Sequence, residues 1–166
     1  MATTSAGILL YRLTGKDAGA GAPALEVLIA HMGGPYWAAK DDAAWSIPKG
    51  EYDHDTESAL DAARREFEEE LGVPAPDVAY AELGTFPYSS GKRVVVFVAD
   101  GADFALDDLS FGEFELEWPP RSGRMQSFPE VDRAEWSRVD AARERLVKGQ
   151  RPALDALERH LADAGA

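Results

Sequence analysis

The sequence predicts a mixed α/β domain. Residues 6–13 (AGILLYRL) and 24–32 (ALEVLIAHM) are almost wholly apolar and read as buried strands. Residues 56–71 instead place Leu60, Ala63, Phe67 and Leu71 at spacings of three and four, the mark of an amphipathic helix. Further strand-like segments follow that helix, and a second helical stretch closes the chain. Helices between and after strands indicate a mixed architecture. A chain of 166 residues suits one domain spanning 1–166.

The first two strands form a hairpin across a glycine-rich connection, residues 14–23 (TGKDAGAGAP), which holds no GxGxxG pattern. Gly33, Gly34 and Pro35 break the second strand. Residues 36–44 form a polar loop carrying Trp37 and Lys40, and Trp45-Ser46-Ile47-Pro48 is a short extended piece. Residues 51–55 (EYDHD) make an acidic loop. Asp55 or Thr56 caps the helix that follows; Gly72 stands where a left-handed cap belongs, and Pro74 and Pro76 prevent continuation. Residues 78–88 and 93–100 read as strands joined by Ser89-Ser90-Gly91-Lys92. Residues 113–118 make another strand, 119–130 a long loop, 133–139 a last strand, and 140–164 one or two closing helices.

Composition narrows the chemistry. Hydrophobic residues at 45% and charged residues at 28% are ordinary for a soluble globular chain. Thirty acidic against 17 basic residues give a formal charge of -13. Such a chain repels nucleic acid and anionic membrane unless a basic patch or a bound cation intervenes. With no cysteine, disulfides, thiolate chemistry and zinc–sulfur sites are excluded. The apolar runs fall far short of a membrane span, and residues 1–5 lack the features of a secretory signal, so a cytoplasmic location is expected.

One constellation carries chemistry. Glu66, Glu69 and Glu70 stand at i, i+3 and i+4 and share one stripe of the helix, away from Leu60, Phe67 and Leu71. Like charges at this spacing cost about 0.2–0.5 kcal/mol per pair even on an exposed helix. A charge run of this kind usually means a solvated face. A divalent cation reverses the sign of the interaction. Mg²⁺ and Mn²⁺ take hard oxygen ligands and often share their shell with substrate phosphates.

The surrounding pattern decides between these readings. Residues 50–73, GEYDHDTESALDAARREFEEELGV, resemble the Nudix box. That family pattern is glycine, five residues, glutamate, seven residues, Arg-Glu, an aliphatic or aromatic residue, any residue, Glu-Glu, any residue, glycine, then an aliphatic. Glu57, Arg65, Glu66, Phe67, Glu69, Glu70, Gly72 and Val73 fall in place. The departure is at the front, where six residues separate Gly50 from Glu57. Trp45 to Gly50 (WSIPKG) is similar to the lead-in of many members, and FPEVDRAEW, from Phe128 to Trp136, resembles the segment where many carry a distant acidic ligand. A bacterial branch described as predicted nucleoside-triphosphate pyrophosphohydrolases has segments similar to WSIPKGEY and EWPPRSGR.

The resemblance implies a Nudix α/β/α sandwich with a mixed central sheet. It also implies an enzyme that hydrolyses a nucleoside diphosphate linked to another group, using Mg²⁺ or Mn²⁺, with water attacking phosphorus. Glu66, Glu69 and Glu70 are then metal ligands, one of them open to double as the base for water. Glu57 and Arg65 form an ion pair that holds the loop and aims Glu66. Gly50 leaves room near the metal, and the main-chain carbonyl of Lys49 is a further ligand. Glu130 is the expected ligand from outside the helix, with Glu117 the runner-up. The Lys49 side chain, Arg93, Arg121 and Arg124 are candidates to meet phosphates, and Tyr36, Trp37 and Tyr88 to stack on a base. His31, His54 and His160 are scattered and take no role. The expected partner is a small nucleotide; membrane and nucleic acid are not expected, and a homodimer is compatible with the family. The competing readings are a dinucleoside polyphosphate hydrolase, a non-catalytic nucleotide-sensing domain, and an acidic helical face for a protein partner.

Overall fold

The computed structural model describes residues 4–14, 24–88 and 91–164. In chain order these form β1 (Thr4–Thr14), β2 (Ala24–Met32), β3 (Trp45–Ser46), β4 (Lys49–Glu51), α1 (Ala59–Leu71), β5 (Ala81–Tyr88) and β6 (Lys92–Asp100). Then come β7 (Glu113–Glu117), β8 (Met125–Pro129), β9 (Val131–Arg138), α2 (Val139–Arg145), a 3-10 turn (Lys148–Gln150) and α3 (Arg151–Ala164). Most of the expected glycine-rich connection, residues 15–23, lies outside the described residues, as do Ser89 and Ser90 of the expected turn.

A mixed seven-stranded sheet is the frame. β1 is its centre. It runs parallel to β6, antiparallel to β2 through its last residues, and antiparallel to β4 through Ser5, Ala6 and Gly7. β5 extends the sheet beyond β6, and β2 carries both β3 and β9. The apolar runs of β1 and β6 are continuous because both faces of the sheet are covered. Ile8, Leu10, Val95 and Phe97 point to one face, where Ala62, Ala63, Phe67 and Leu71 of α1 pack. Leu9, Val94, Val96 and Val98 point to the other, against Val139 and Ala142 of α2 and Ala153, Leu154 and Leu157 of α3. The result is the expected α/β/α sandwich.

Three local expectations are corrected. α1 starts at Ala59, capped by Ser58, whose Oγ accepts from Asp61 N at 3.1 Å; neither Asp55 nor Thr56 caps it. Residues 53–57 make a turn of their own instead. The Asp53 carboxylate accepts from Asp55 N at 2.9 Å, and its carbonyl accepts from Thr56 N and Glu57 N at 3.1 Å. Short polar side chains offer the backbone this alternative to a helix. Residues 119–130 are not simply a loop, because β8 lies within them and pairs with β7 as a separate two-stranded hairpin. β8 (MQSFP) has little apolar alternation and ends in proline, so only its pairing makes it a strand. β4, finally, lies where the expected acidic loop begins, held by β1 at Gly7, where a Cβ would crowd Pro48 O and Lys49 Cβ at 2.7 and 2.8 Å. Gly72 does adopt the expected left-handed cap, with φ 77° and its N–H donating to Glu68 O at 2.8 Å.

The cap assignment is testable by urea denaturation. Ser58→Ala should cost about 1 kcal/mol of stability, and Thr56→Ala less than about 0.5 kcal/mol. Equal losses would place the cap wrongly.

Candidate active site

Phe67 and Leu71 are fully buried against the sheet, which fixes the roll of α1. Glu66 and Glu70 then turn toward β4. A Cβ at Gly50 would run into the Glu66 carboxylate. The backbone at Gly50 is not left-handed, so this glycine is there for space and not for a turn. One Glu70 oxygen faces the Lys49 amide, which donates to it across a long 3.4 Å.

Burial pushes the Glu70 carboxyl up to about 8. The Lys49 charge and amide pull it down in part, and the charges of Glu66 and Glu130 push it further up. Burial also raises Glu66; the Arg65 hydrogen bond opposes this, and the Glu69 and Glu130 charges add to it. These are carboxylates that the metal-free protein struggles to keep ionised.

Arg65 organises the outer side. Its Nε and Nη2 donate to the two oxygens of Glu57, both at 2.9 Å, a bidentate pair. Its Nη1 donates to Glu66 Oε1 at 2.8 Å and, less closely, to Glu69 at 3.3 and 3.4 Å. The Arg65 hydrogen bond holds the Glu57 carboxyl below its ordinary range. Arg65 therefore ties the loop before the helix to Glu66, the geometry expected of this pair. Glu69 is the outlying member, its side chain 56% exposed.

Glu130 reaches the cluster from the end of the β7–β8 hairpin. Its N–H donates to Gly112 O at 2.7 Å, and its carbonyl accepts from Gly33 N at 2.9 Å. A Cβ at Gly112 would lie 3.2 Å from the Glu69 carbonyl and 3.5 Å from Glu130 Oε2, so Gly112 is wedged between α1 and the Glu130 carboxylate. The charge of Glu130 is felt at both Glu66 and Glu70. Glu117 is at the other end of the hairpin. The register runs from Glu113↔Pro129 at the base to Glu117↔Met125, four residue steps or roughly 13 Å away. Glu117 accepts from Arg121 N at 3.0 Å and shapes the hairpin tip.

The remaining candidates divide by place. Tyr36, 54% exposed, packs edge-on against Trp118 with ring centroids 5.2 Å apart. Arg124 is beside them, its carbonyl accepting from Trp118 N at 2.9 Å. Tyr36 and Arg124 thus belong to the hairpin tip and not to the carboxylate cluster. Arg93 is exposed at the start of β6, opposite Thr4, and alternates with Val94 onto the α1 face of the sheet. Trp37 is partly buried against the core of the opposite layer, near the Lys40 ammonium. The Tyr88 side chain lies outside the described residues. His31 is buried, its Nδ1 2.8 Å from Asp132 and its Nε2 2.6 Å from Lys40 O.

Among the described residues, the three donors drawn within 4.8 Å of one another are Asp53, His54 and Asp55, all exposed in the loop before α1. The box carboxylates do not close to that spacing. Arg65 engages Glu66 and Glu69 from one side, while the amide and charge of Lys49 engage Glu70 from the other. Still, the donor set fits a hard divalent cation. All four side chains are carboxylates, two have raised pKa values from burial and mutual charge, and Gly50 keeps a side chain out of their midst.

A family model described as NUDIX domain matches residues 3–157. The chain belongs to the Nudix family. Over 55 residues it is also 49% identical to an uncharacterized 17.7 kDa protein of Enterobacteria phage T4, from the e-segB intergenic region; the match takes in 32% of this chain and 36% of that protein. Among solved structures it is similar to an Ap4A hydrolase of C. elegans in a binary complex, with a TM-score of 0.62, 22% identity and coverage of 98% and 99% of the two chains. It is similar also to the NUDIX domain of Shewanella oneidensis NrtR complexed with ADP ribose, with a TM-score of 0.60, 14% identity and coverage of 97% and 89%. At these identities the likeness is one of fold.

The raised carboxyl of Glu70 has a measurable consequence in metal-free protein. Its folded value near 8 exceeds the ordinary 4.5, so between these values the folded protein holds a proton that the unfolded chain has released. Metal-free stability therefore falls as pH rises through this window. Glu70→Gln should flatten the decline between pH 5 and 8 and leave the variant more stable at pH 8, by on the order of a few kcal/mol. Parallel curves from urea titrations in a chelator would show that Glu70 does not carry this charge.

Proposed function

We propose that this Nudix hydrolase cleaves a pyrophosphate bond in a nucleoside diphosphate linked to a further group, an NTP or related nucleotide, with water attacking phosphorus. The observation that carries the reading is the convergence of Glu130, from a distant hairpin, on Glu66 and Glu70 above Gly50. A solvated charged face needs no such convergence and no space cleared for a carboxylate. A nucleotide-sensing domain usually loses box carboxylates, and here all are present.

Glu66, Glu69 and Glu70, with Glu130 and the Lys49 carbonyl, are the proposed ligands for Mg²⁺ or Mn²⁺. A divalent ion there supplies charge neutralisation of the diphosphate and acidification of bound water. The chain's own residues do the rest. Arg65, clamped by Glu57, holds Glu66 in place from the solvent side. Glu70 is held from below by the Lys49 amide. One carboxylate of the set takes the proton of the attacking water. The Lys49 ammonium and Arg93 are the proposed contacts for substrate phosphates.

One observation favours a dinucleoside polyphosphate over a plain NTP. The Tyr36–Trp118 pair, flanked by Arg124, stands at the hairpin tip, roughly 13 Å by register from its Glu130 end. An exposed Tyr36 ring packed on Trp118 suits a second base.

A panel of NTPs, dinucleoside polyphosphates, nucleotide sugars and ADP-ribose, resolved by chromatography with and without Mg²⁺, tests the reading. Metal-dependent cleavage of a pyrophosphate bond is expected; no product on any of them would overturn it. Glu69→Gln should lower turnover about 100-fold or more with the fold intact, and Glu130→Gln about 10-fold or more. Glu117→Gln should stay within about twofold.

A further inference from the structure

β3 and β4 are two and three residues long, yet they carry the backbone that faces Glu66 and Glu70. Strands this short are not stable alone. β2 pairs with one edge of β3 at Ser46 and Trp45. The other edge is met by the segment between α2 and α3. Ala43 N donates to Glu144 O, in the last turn of α2, at 3.0 Å, and Val147 N donates to Trp45 O at 2.9 Å, with Trp45 and Leu146 forming an isolated parallel bridge. The next rung, at Ile47 N, has no carbonyl opposite it, because the 3-10 turn has begun. The side chain of Gln150 fills the place: its Oε1 accepts from Ile47 N at 2.9 Å. Its Nε2 donates to Ser46 Oγ at 2.9 Å, and that hydroxyl donates to Ile47 O at 2.7 Å. Gln150 is completely buried.

We infer that Gln150 is a positioning residue for the metal site. It acts through the Ile47 backbone to hold Lys49 and Gly50 against Glu70 and Glu66. The path is short. Ile47 is pinned by Gln150, the Pro48 carbonyl accepts from Ile8 N at 3.1 Å, and the next amide, Lys49, faces Glu70. A buried amide that loses its acceptor must find another, which draws the Ile47 backbone from its place. Displacement at Gly50 moves the space that the Glu66 carboxylate occupies. Gln150 lies on the α2–α3 side of the sheet and the glutamates on the α1 side, so the strip is the link between layers.

The inference rests on the metal-holding role proposed for Glu66 and Glu70, and its test separates the two. Gln150→Met keeps the volume and removes both hydrogen bonds of the Gln150 amide; Ser46→Ala leaves the bond to Ile47 N, removes the one from Nε2 together with the hydroxyl's own bond to Ile47 O, and guards against a variant that does not fold. Two readouts apply to folded protein. Amide hydrogen exchange at Ile47, Lys49 and Gly50 in chelator should quicken about tenfold or more in Gln150→Met and less in Ser46→Ala. Mn²⁺ binding by calorimetry should weaken about tenfold in Gln150→Met, and the same substitution in a Glu70→Gln background should weaken it far less. Unchanged exchange, or an unchanged Kd in a variant that merely melts earlier, would make Gln150 an ordinary core residue and overturn the inference. If the wild-type protein binds no Mn²⁺, the metal reading falls, and the exchange data alone decide whether Gln150 positions the strip.

Discussion

The structure depends on a repulsion that it does not relieve. Glu66 and Glu70 are drawn from solvent by the docking of α1, and Glu130 is brought to them by the β7–β8 hairpin. Each charge raises the cost of the others. Arg65 offsets part of this from the outside, and the Lys49 amide and ammonium offset part from below. What remains is a partly dry site where the metal-free protein keeps a proton on Glu70 up to about pH 8 and where carboxylate oxygens suit a hard cation in its place. A fold selected for stability alone would have paired or removed these groups.

That imbalance explains why so many glycines crowd one region. Gly50 makes space for a carboxylate, Gly112 lets Glu130 approach α1, and Gly7 lets β1 approach Pro48 and Lys49. None of the three is left-handed. They serve close approach: a Cβ at Gly7 or Gly50 would lie under 3 Å from its neighbours, and one at Gly112 would be tight against the Glu69 carbonyl at 3.2 Å.

The legible and the illegible parts of the site differ in how their geometry arises. Glu66, Glu69 and Glu70 were readable because helical period alone sets their stripe, and the Glu57–Arg65 pair because it sits at fixed spacing around the same turn. The two-faced burial of β1 and β6 was readable from unbroken apolar runs. Glu130 entered only through the resemblance, since nothing local marks it; its position is made by pairing of β7 with β8, and β8 has no strand signal of its own. The same pairing separates it from Glu117, a difference that composition hides. Tyr36 and Arg124 have the chemistry to meet a base and a phosphate, but the structure puts them at the far end of the hairpin. Gln150 was invisible for a plainer reason. Its role is to replace a backbone carbonyl across more than a hundred residues of sequence, and a side-chain amide in a helical tail carries no sign of that.

The extra residue between Gly50 and Glu57 shows how a family pattern tolerates change. Tyr52 N still donates to Thr4 O at 3.2 Å, so β4 leaves the sheet in order. Asp53 then closes a turn with its own carboxylate and carbonyl, drawing in Asp55, Thr56 and Glu57. Ser58 begins the helix afresh. The insertion is thus absorbed between two hydrogen-bonded boundaries, one set by the sheet and one by the cap. Across the cap, Glu57 still meets Arg65 through both oxygens, and Arg65 still reaches Glu66. Loop length is cheap to vary where both ends are anchored. Helix register is not, because one residue turns every carboxylate by about 100°. The pattern could therefore yield in front of Glu57 and nowhere behind it.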